Sequence, residues 1–364
     1  MNIGLLFGGC SPEHDVSISS ARSIFTSLNL LNKYDISLVY IDYDNRWYLQ
    51  NNPSVLKKKH STNINLTSDS ELCSILPSNE EKLILLTQTK KIYIDIVFPI
   101  LHGPNCEDGT LQGLFEVFNV PYIGCGLLAS AIGMDKDFQK SRFKTNNLPF
   151  IDYIALDIHE IPDDYDDFET ISQKLNSDIL FVKPNAMGSS VGVNKVKCKH
   201  EFKLAIKDAF KYSSKVLVEK YLPGRELEVG VLGDKLNTQC SQIGEVIPNS
   251  KYEFLTYEAK YQQNGCTVII PAQIDTNLSN RIKKIAIDAF NSIDCHGLAR
   301  VDFIVSNDNE IYINEINTMP GFTVTSMFPQ LWSLSNFNLP DLVEYLIQMG
   351  FKKHNHKNNF SKRL

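Results

Sequence analysis

The sequence has no apolar run approaching the ~20 residues that would span a bilayer. Met1–Gly9 is too short, and too soon interrupted by glycine, to act as a secretory signal. The expectation is a soluble, cytoplasmic protein that does not engage membranes. Positive charge is also scarce: the formal net charge is −6, whereas a dedicated nucleic-acid binder carries a basic footprint. A nucleotide is not excluded, because it needs only a local cationic pocket. The eight cysteines (10, 73, 106, 125, 198, 240, 266 and 295) include no C-x-x-C pair and no zinc spacing, so reduced thiols in the cytosol are expected. Neither G-x-G-x-x-G nor G-x-x-x-x-G-K-S/T occurs, which removes the two commonest nucleotide fingerprints.

What remains is an ordinary globular composition, 43% hydrophobic and 21% charged over 364 residues. That length is enough for roughly two or three domains. Asn2–Gly9 reads as a buried strand running into a glycine turn, followed by a helix with Ala21, Ile24, Phe25 and Leu28 on one face and Asp15 or Ser17 as its N-cap. Ile36–Asp42 and Tyr93–Leu101 read as further strands, and Asp108 as the cap of a helix carrying Leu111, Leu114, Phe115 and Phe118. This is the pattern of an open parallel α/β sheet with ligands at the strand C-terminal ends. Tyr43–Thr89, with Lys57-Lys58-Lys59, reads as a polar, irregular excursion. One helix is expected to carry Met134-Asp135-Lys136, and the acidic cluster Asp163, Asp164, Asp166 and Asp167 reads as a solvated helix start.

Chemistry-bearing residues concentrate further on. Asp178–Val196 reads as strand, Gly/Ser-rich loop, strand, with Lys183 closing the first strand. Backbone N–H groups at Gly188-Ser189-Ser190 suit an anion, and the context suits a flap over a triphosphate. Ser250–Gly265 is a long polar loop of the kind that often forms a lid. Ala299–Val305 and Ile311–Ile316 flank a turn, Ser306 to Glu310, and read as a β-hairpin. If Val305 pairs with Glu310, then Arg300 faces Glu315, Asp302 faces Ile313, and Arg300, Asp302, Glu315 and Asn317 share one face. Three oxygen ligands of this type suit a hard cation such as Mg²⁺. Spacing alone leaves an exposed, salt-bridged hairpin equally open. A last helix is expected from Pro340 to about Met349, with Lys352–Leu364 a frayed basic tail.

Taken in order, these pieces resemble the ATP-grasp superfamily and, within it, the D-alanine–D-alanine ligase family. The resemblance rests on S-P-E-H-D-V-S at 11–17, H-G-x-x-x-E-D-G-x-L-Q-G at 102–113 and M-D-K at 134–136. It continues through K-P-x-x-x-G-S-S-x-G at 183–192, V-E-K-Y-L at 218–222, Y-E-A-K-Y at 257–261, G-x-x-R-x-D at 297–302 and N-E-I-N-T-M-P-G-F-T at 314–323. Cys106 stands where the family often has glycine, and Asp15 where glutamate is common.

The resemblance implies an α/β architecture of α+β lobes: an ATP-grasp fold preceded by an N-terminal open parallel α/β domain. The expected divisions are 1–127, a central lobe at 128–215, a C-terminal lobe at 216–349 and the tail at 350–364. It implies ATP-dependent joining of two D-alanines through an acyl phosphate, supplying a peptidoglycan precursor, with two Mg²⁺ or Mn²⁺ ions and a homodimer. By position, Asp302, Glu315 and Asn317 would hold metal. Lys136 and Lys183 would meet the α/β-phosphates and Lys260 the γ-phosphate. Glu219 and Leu222 would meet adenine, Glu226 the ribose, and Ser190 and Lys220 would complete the nucleotide site. Glu13, with His102 nearby, would hold the first D-alanine and Ser326 the second. Arg300 and the Gly321 N–H would stabilise the oxyanion, and Ser189 and Tyr261 would close flap and lid onto Glu13. Related ligases that use D-lactate, D-serine or another amino acid, and an inactive nucleotide-binding regulator, are the alternatives.

Overall fold

The computed structural model describes residues 1–57, 64, 66, 69–162, 165–262 and 264–360, without the side chains of Lys57 and Tyr261. Lys58, Lys59, Asp163 and Asp164, and with them most of the lysine run and half of the acidic cluster, lie outside the described residues.

The chain begins with β1 (Asn2–Gly8), α1 (His14–Leu31) and β2 (Asp35–Ile41). The stripe expected on α1 is buried, with Ala21, Ile24 and Leu28 fully enclosed. Neither Asp15 nor Ser17 caps this helix: Glu13 holds the N-cap position without a side-chain cap bond. Ser17 instead ties the helix to the strand ends, accepting from Gly8 N at 2.8 Å and donating to Ile100 O at 2.5 Å.

The described part of Tyr43–Thr89 is not irregular. It forms β3 (Trp47–Gln50), α2 (Ser54–Lys57), β4 (Ser70–Leu72), β5 (Ser74–Pro77) and β6 (Leu83–Leu86). Each is only three or four residues long, so polar neighbours masked a period that Leu49, Leu83 and Leu85 nevertheless use to pack a core. The long strand expected from Tyr93 breaks at Asp95 into β7 (Lys91–Ile94) and β8 (Ile96–Pro99). The first sheet has the order β4-β3-β2-β1-β8, parallel for β2-β1-β8 and antiparallel at its β3 and β4 edge; β5-β6-β7 form a separate antiparallel sheet. Next comes α3 (Thr110–Phe118), with Gly109 rather than Asp108 at its N-cap position; Asp108 Oδ1 accepts from Thr110 N just ahead of it.

A single helix does not carry Met134-Asp135-Lys136. It divides into α4 (Leu127–Met134) and α5 (Lys136–Thr145), because Asp135 leaves helical geometry and accepts from Phe138 N as the cap of α5. Then follow β9 (Tyr153–Asp157), α6 (Phe168–Leu175), β10 (Leu180–Pro184), β11 (Asn194–Val196), α7 (Lys199–Ala209) and β12 (Lys215–Lys220), whose strands form the sheet β11-β10-β12-β9. The remaining elements are β13 (Gly224–Asp234), β14 (Asn237–Pro248), α8 (Tyr257–Tyr261), β15 (Cys266–Ile269), α9 (Thr276–Ser292), β16 (Gly297–Ser306), β17 (Ile311–Asn317), α10 (Met327–Ser333) and α11 (Leu339–Asn358). Their strands form a second five-stranded sheet, β15-β14-β13-β16-β17.

Packing moves the expected divisions. Strand β12 belongs to the central sheet through Lys220, so a boundary at 215 would cut that sheet. Ala129, Phe143 and Leu148 pack with the C-terminal sheet and α9, not with the central lobe. The C-terminal stretch is not a frayed tail from Lys352: α11 continues to Asn358, and Leu342, Val343, Leu346 and Ile347 close the core of the first domain. Lys353 Nζ donates to Gly124 O at 2.7 Å and His354 meets Glu81 at 3.0 Å. No helix among the described residues is long and apolar enough to cross a membrane.

Candidate active site

The hairpin of β16 and β17 carries the polar face expected of it, by a different register. Val305 pairs with Ile311, not Glu310, and the regular ladder runs to Phe303 opposite Ile313. Continued unchanged, that register would turn Glu315 into the core. A bulge at Asn314 intervenes, so Asp302 pairs with Glu315 and Arg300 with Asn317. Ile313 and Ile316 both stay buried while the consecutive polar residues Asn314 and Glu315 face the site. Bulges re-aim side chains in this way.

Strand β13 lies on the other side of β16 and sets Glu228 opposite Asp302. Arg300 fills the space among these carboxylates. Its Nε and an Nη each donate to Asp302 at 2.7 Å, and Nε is 2.9 Å from Glu228 Oε2. Burial, reinforced by Asp302 and Glu226, pushes the Glu228 carboxyl up to about 7 against the pull of Arg300. Burial likewise raises Glu226. Glu315 is half-buried, and Lys136, Lys260, Lys183 and Arg300 outweigh the burial that opposes its charge and hold it at about 2. Among the described residues no three His, Cys, Asp or Glu side chains converge as a metal site.

Lysines approach from the central lobe and from α5. Lys136 Nζ lies 3.2 Å from Glu315 and donates to Met187 O at 2.7 Å. Lys183 Nζ lies 2.6 Å from Glu219 Oε2 and 3.4 Å from Asn314 Oδ1, so it spans both sheets. Beneath it, the buried Lys140 reaches Glu219 Oε1 at 3.1 Å. A cavity of about 350 Å³ is lined by Lys183, Glu219, Lys220, Leu222, Glu226, Phe181, Phe254 and Lys260. At its rim Lys220 pairs with Asp152 at 2.6 Å.

A second cavity, about 420 Å³, is lined by Glu13, His102, Ser189, Arg300, Asn317, Gly321 and Ser326. The two cavities share a wall that includes Lys136, Lys260, Glu315 and Ser189. Ser189 Oγ of the flap donates to Glu13 Oε1 at 2.5 Å. Gly188 makes that approach possible, since a Cβ there would stand 3.2 Å from Glu13 Oε2. Ser190 donates to Leu255 O of the lid at 2.9 Å. The side chain of Tyr261, expected to complete this closure, lies outside the described residues. Burial opposes charge on His102, but Glu107, Glu13 and the Met319 carbonyl outweigh it and raise its pKa. Its Nδ1 meets Met319 O at 3.1 Å, and its buried Nε2 has no hydrogen-bond partner among the described residues. Ser326 Oγ accepts from Thr323 N at 3.0 Å, and a Cβ on Gly321 would come within 2.8 Å of that oxygen.

The expected residues with described side chains are therefore together, Asp302 lying just behind the cavity wall in the Arg300 fork. Cys106 is accommodated without strain, since the left-handed positions described in its loop are Gly103, Asn105 and Gly109. Sequence reasoning missed Glu228, Lys140, Glu107 and Asn314. Glu228 shares a strand face with Glu226 two residues before, and Lys140 follows Lys136 by one helical turn, so both were within reach of a periodicity argument.

Two α+β sheets that clasp a lysine-lined cavity, with a carboxylate-bearing hairpin at its floor, define the class as ATP-grasp. Comparison with known proteins narrows it. Residues 2–125 match the family model described as D-ala D-ala ligase N-terminus, and residues 143–348 match D-ala D-ala ligase C-terminus. A D-alanine--D-alanine ligase of Acetivibrio thermocellus is 41% identical, over 96% of each chain. The structure of the D-alanine-D-alanine ligase from Coxiella burnetii superposes with a TM-score of 0.85 at 33% identity, over 99% of this chain and 96% of that one. The VanG D-Ala:D-Ser ligase from Enterococcus faecalis gives 0.80 at 30% identity, over 96% and 99%. The chain belongs to the D-alanine–D-alanine ligase family.

Proposed function

We propose that this chain joins two D-alanines to D-alanyl-D-alanine at the expense of ATP, as its family membership implies. The observation that carries the reading at the site is the shared wall. Lys136, Lys260 and Glu315 lie between a cavity with a partly aromatic lining and one lined largely by polar groups. That arrangement supports a γ-phosphate at the junction, facing the carboxylate it is to receive.

In this reading ATP lies along the first cavity, its base against Glu219 and Leu222 and its ribose at Glu226, with Ser190 and Lys220 at the edge. Lys136, Lys183 and Lys260 balance the charge that spreads over the phosphates during transfer. Glu13 holds the ammonium of the first D-alanine, with His102 beside it, so that its carboxylate meets the γ-phosphate. Phosphorylation gives D-alanyl phosphate and ADP. The amine of the second D-alanine, its carboxylate held by Ser326, attacks the acyl carbon. Arg300 and the Gly321 N–H stabilise the resulting oxyanion, and phosphate leaves as the peptide bond forms. Ser189 and Tyr261 keep water from the acyl phosphate.

The donor set fits one or two hard divalent cations. Carboxylates crowd around Arg300, and burial, reinforced by the neighbouring carboxylates, drives Glu226 and Glu228 towards protonation. Asp302, Glu315 and Asn317 would hold Mg²⁺ or Mn²⁺, which supplies charge neutralisation to the phosphates when bound. A cytoplasmic, homodimeric enzyme is part of the same reading, and light scattering of the purified chain tests the dimer.

The deciding assay is ATP-dependent phosphate release with D-alanine alone, with D-alanine plus D-serine or D-lactate, and with L-amino acids. Turnover with D-alanine alone is expected. Stronger coupling to D-lactate or D-serine at neutral pH, or turnover only with L-amino acids, overturns the dipeptide assignment.

A further inference from the structure

Lys140 takes no part in the steps above, although it lies one helical turn beyond Lys136. Its side chain is 1% exposed and lines neither cavity, so it is out of reach of a phosphate. It is enclosed by the rings of Phe150 and Tyr153, 5.9 and 5.6 Å from its Nζ, and the Ile151 carbonyl at 3.4 Å. A buried cation needs a compensating charge; the carboxylate of Glu219 at 3.1 Å supplies it, although burial, with Lys183 nearby, still holds the Lys140 ammonium below its ordinary range.

Glu219 therefore has two lysines, with different prospects. Lys183, 2.6 Å from Oε2, lines the nucleotide cavity and is the one a triphosphate would draw away. Lys140 stays behind. Burial alone pushes the Glu219 carboxyl up, and Lys140 together with Lys183 more than offsets that.

We propose that Lys140 is a positioning residue that keeps Glu219 ionised at the base-binding end of the cavity, and so makes the site select a 6-amino purine over a 6-oxo purine. An ionised carboxylate only accepts hydrogen bonds. It takes one from an exocyclic amine and repels a carbonyl oxygen, whereas a protonated carboxyl can donate to that oxygen. The inference rests on the ligase reading only for the identity of the cavity's occupant.

Binding of ATP and of ITP to the full chain, measured by calorimetry without D-alanine, tests it. The wild type is expected to favour ATP about ten- to a hundred-fold, the range of a charge-assisted hydrogen bond. Lys140→Met should weaken ATP about ten-fold and leave ITP within about two-fold, so that the preference collapses. Its kcat at saturating ATP should be nearly retained. Lys140→Gln, which keeps a donor but no charge, should behave alike and serves if the methionine variant does not fold. Equal affinities in the wild type overturn the proposal without any variant. So does a parallel loss of ATP and ITP, which marks a merely structural lysine, or no change at all. Selective ATP binding without D-alanine-dependent phosphate release would refute the ligase reading and leave this one standing.

Discussion

Arg300 and Asp302 hold each other in a two-point fork while Glu228 waits 2.9 Å away, so removing one member need not unfold the strand. Asp302→Ala and Glu315→Ala should each cut dipeptide formation by about a thousand-fold or more, the size of a lost metal or electrostatic contact. Circular dichroism and melting should be close to wild type, and near-normal turnover would refute the metal role. Lys353 makes stability depend on pH. Burial against the Tyr122 ring and Gly124 pulls its pKa from 10.5 down to about 7. The unfolded lysine then binds more protons than the folded one between those values, so stability rises with pH across that window. Below about 7 both states are charged and the burial penalty stands in full. Lys353→Met should therefore gain about 1–2 kcal/mol near pH 6 and flatten the rise between pH 7 and 10. Urea titrations at several pH values check this; a wild-type slope unchanged by the substitution would contradict it.

At the scale of elements, the hairpin bulge is the informative feature. Deleting Asn314 would leave Phe303–Ile313 and Asp302–Glu315 as consecutive pairs of a regular ladder. The variant should fold, but without the kink that aims Glu315, and without the Lys183 contact. Turnover should fall about a hundred-fold, as expected for a displacement of ~1 Å in a reacting site. Retained activity would mean the bulge is structurally idle. The end of α11 gives the complementary case. A chain ending at Met349 loses the Lys352–Asp234, Lys353–Gly124, His354–Glu81 and Lys357–Glu116 contacts. Stability should drop by about 2–4 kcal/mol, typical of losing a packed polar network, whereas a frayed tail would cost nothing.

At the scale of the molecule, flap and lid come from different lobes and meet over both cavities. Ser190 bonds Leu255, Lys195 pairs with Glu253 at 3.2 Å, and Phe254 packs edge-on to Phe181 with centroids 5.0 Å apart. Closure of this kind shields an acyl phosphate from water. Phe254→Ala should raise the KM for ATP and lift the ratio of phosphate released to dipeptide formed above one. A ratio that stays at one would mean the lid aromatic is not part of the water barrier.

The sequence by itself determined the chemistry: which side chains carry charge, the order of motifs, and hence the family and most of the residues of the candidate site. It also determined the helices with clear apolar stripes, such as α1 and α3, because their periodicity is local. Only the tertiary structure decided the hairpin register, where burying both Ile313 and Ile316 demanded a bulge that no pairing rule predicts. It decided that α11 docks on the first domain, although its last turns are basic enough to read as solvated. It also decided that Lys140 and Glu228 are buried partners of Glu219 and Arg300, residues 79 and 72 positions away. Strand register, helix docking and charge pairing depend on energies between distant segments, and those arise only when the segments are packed.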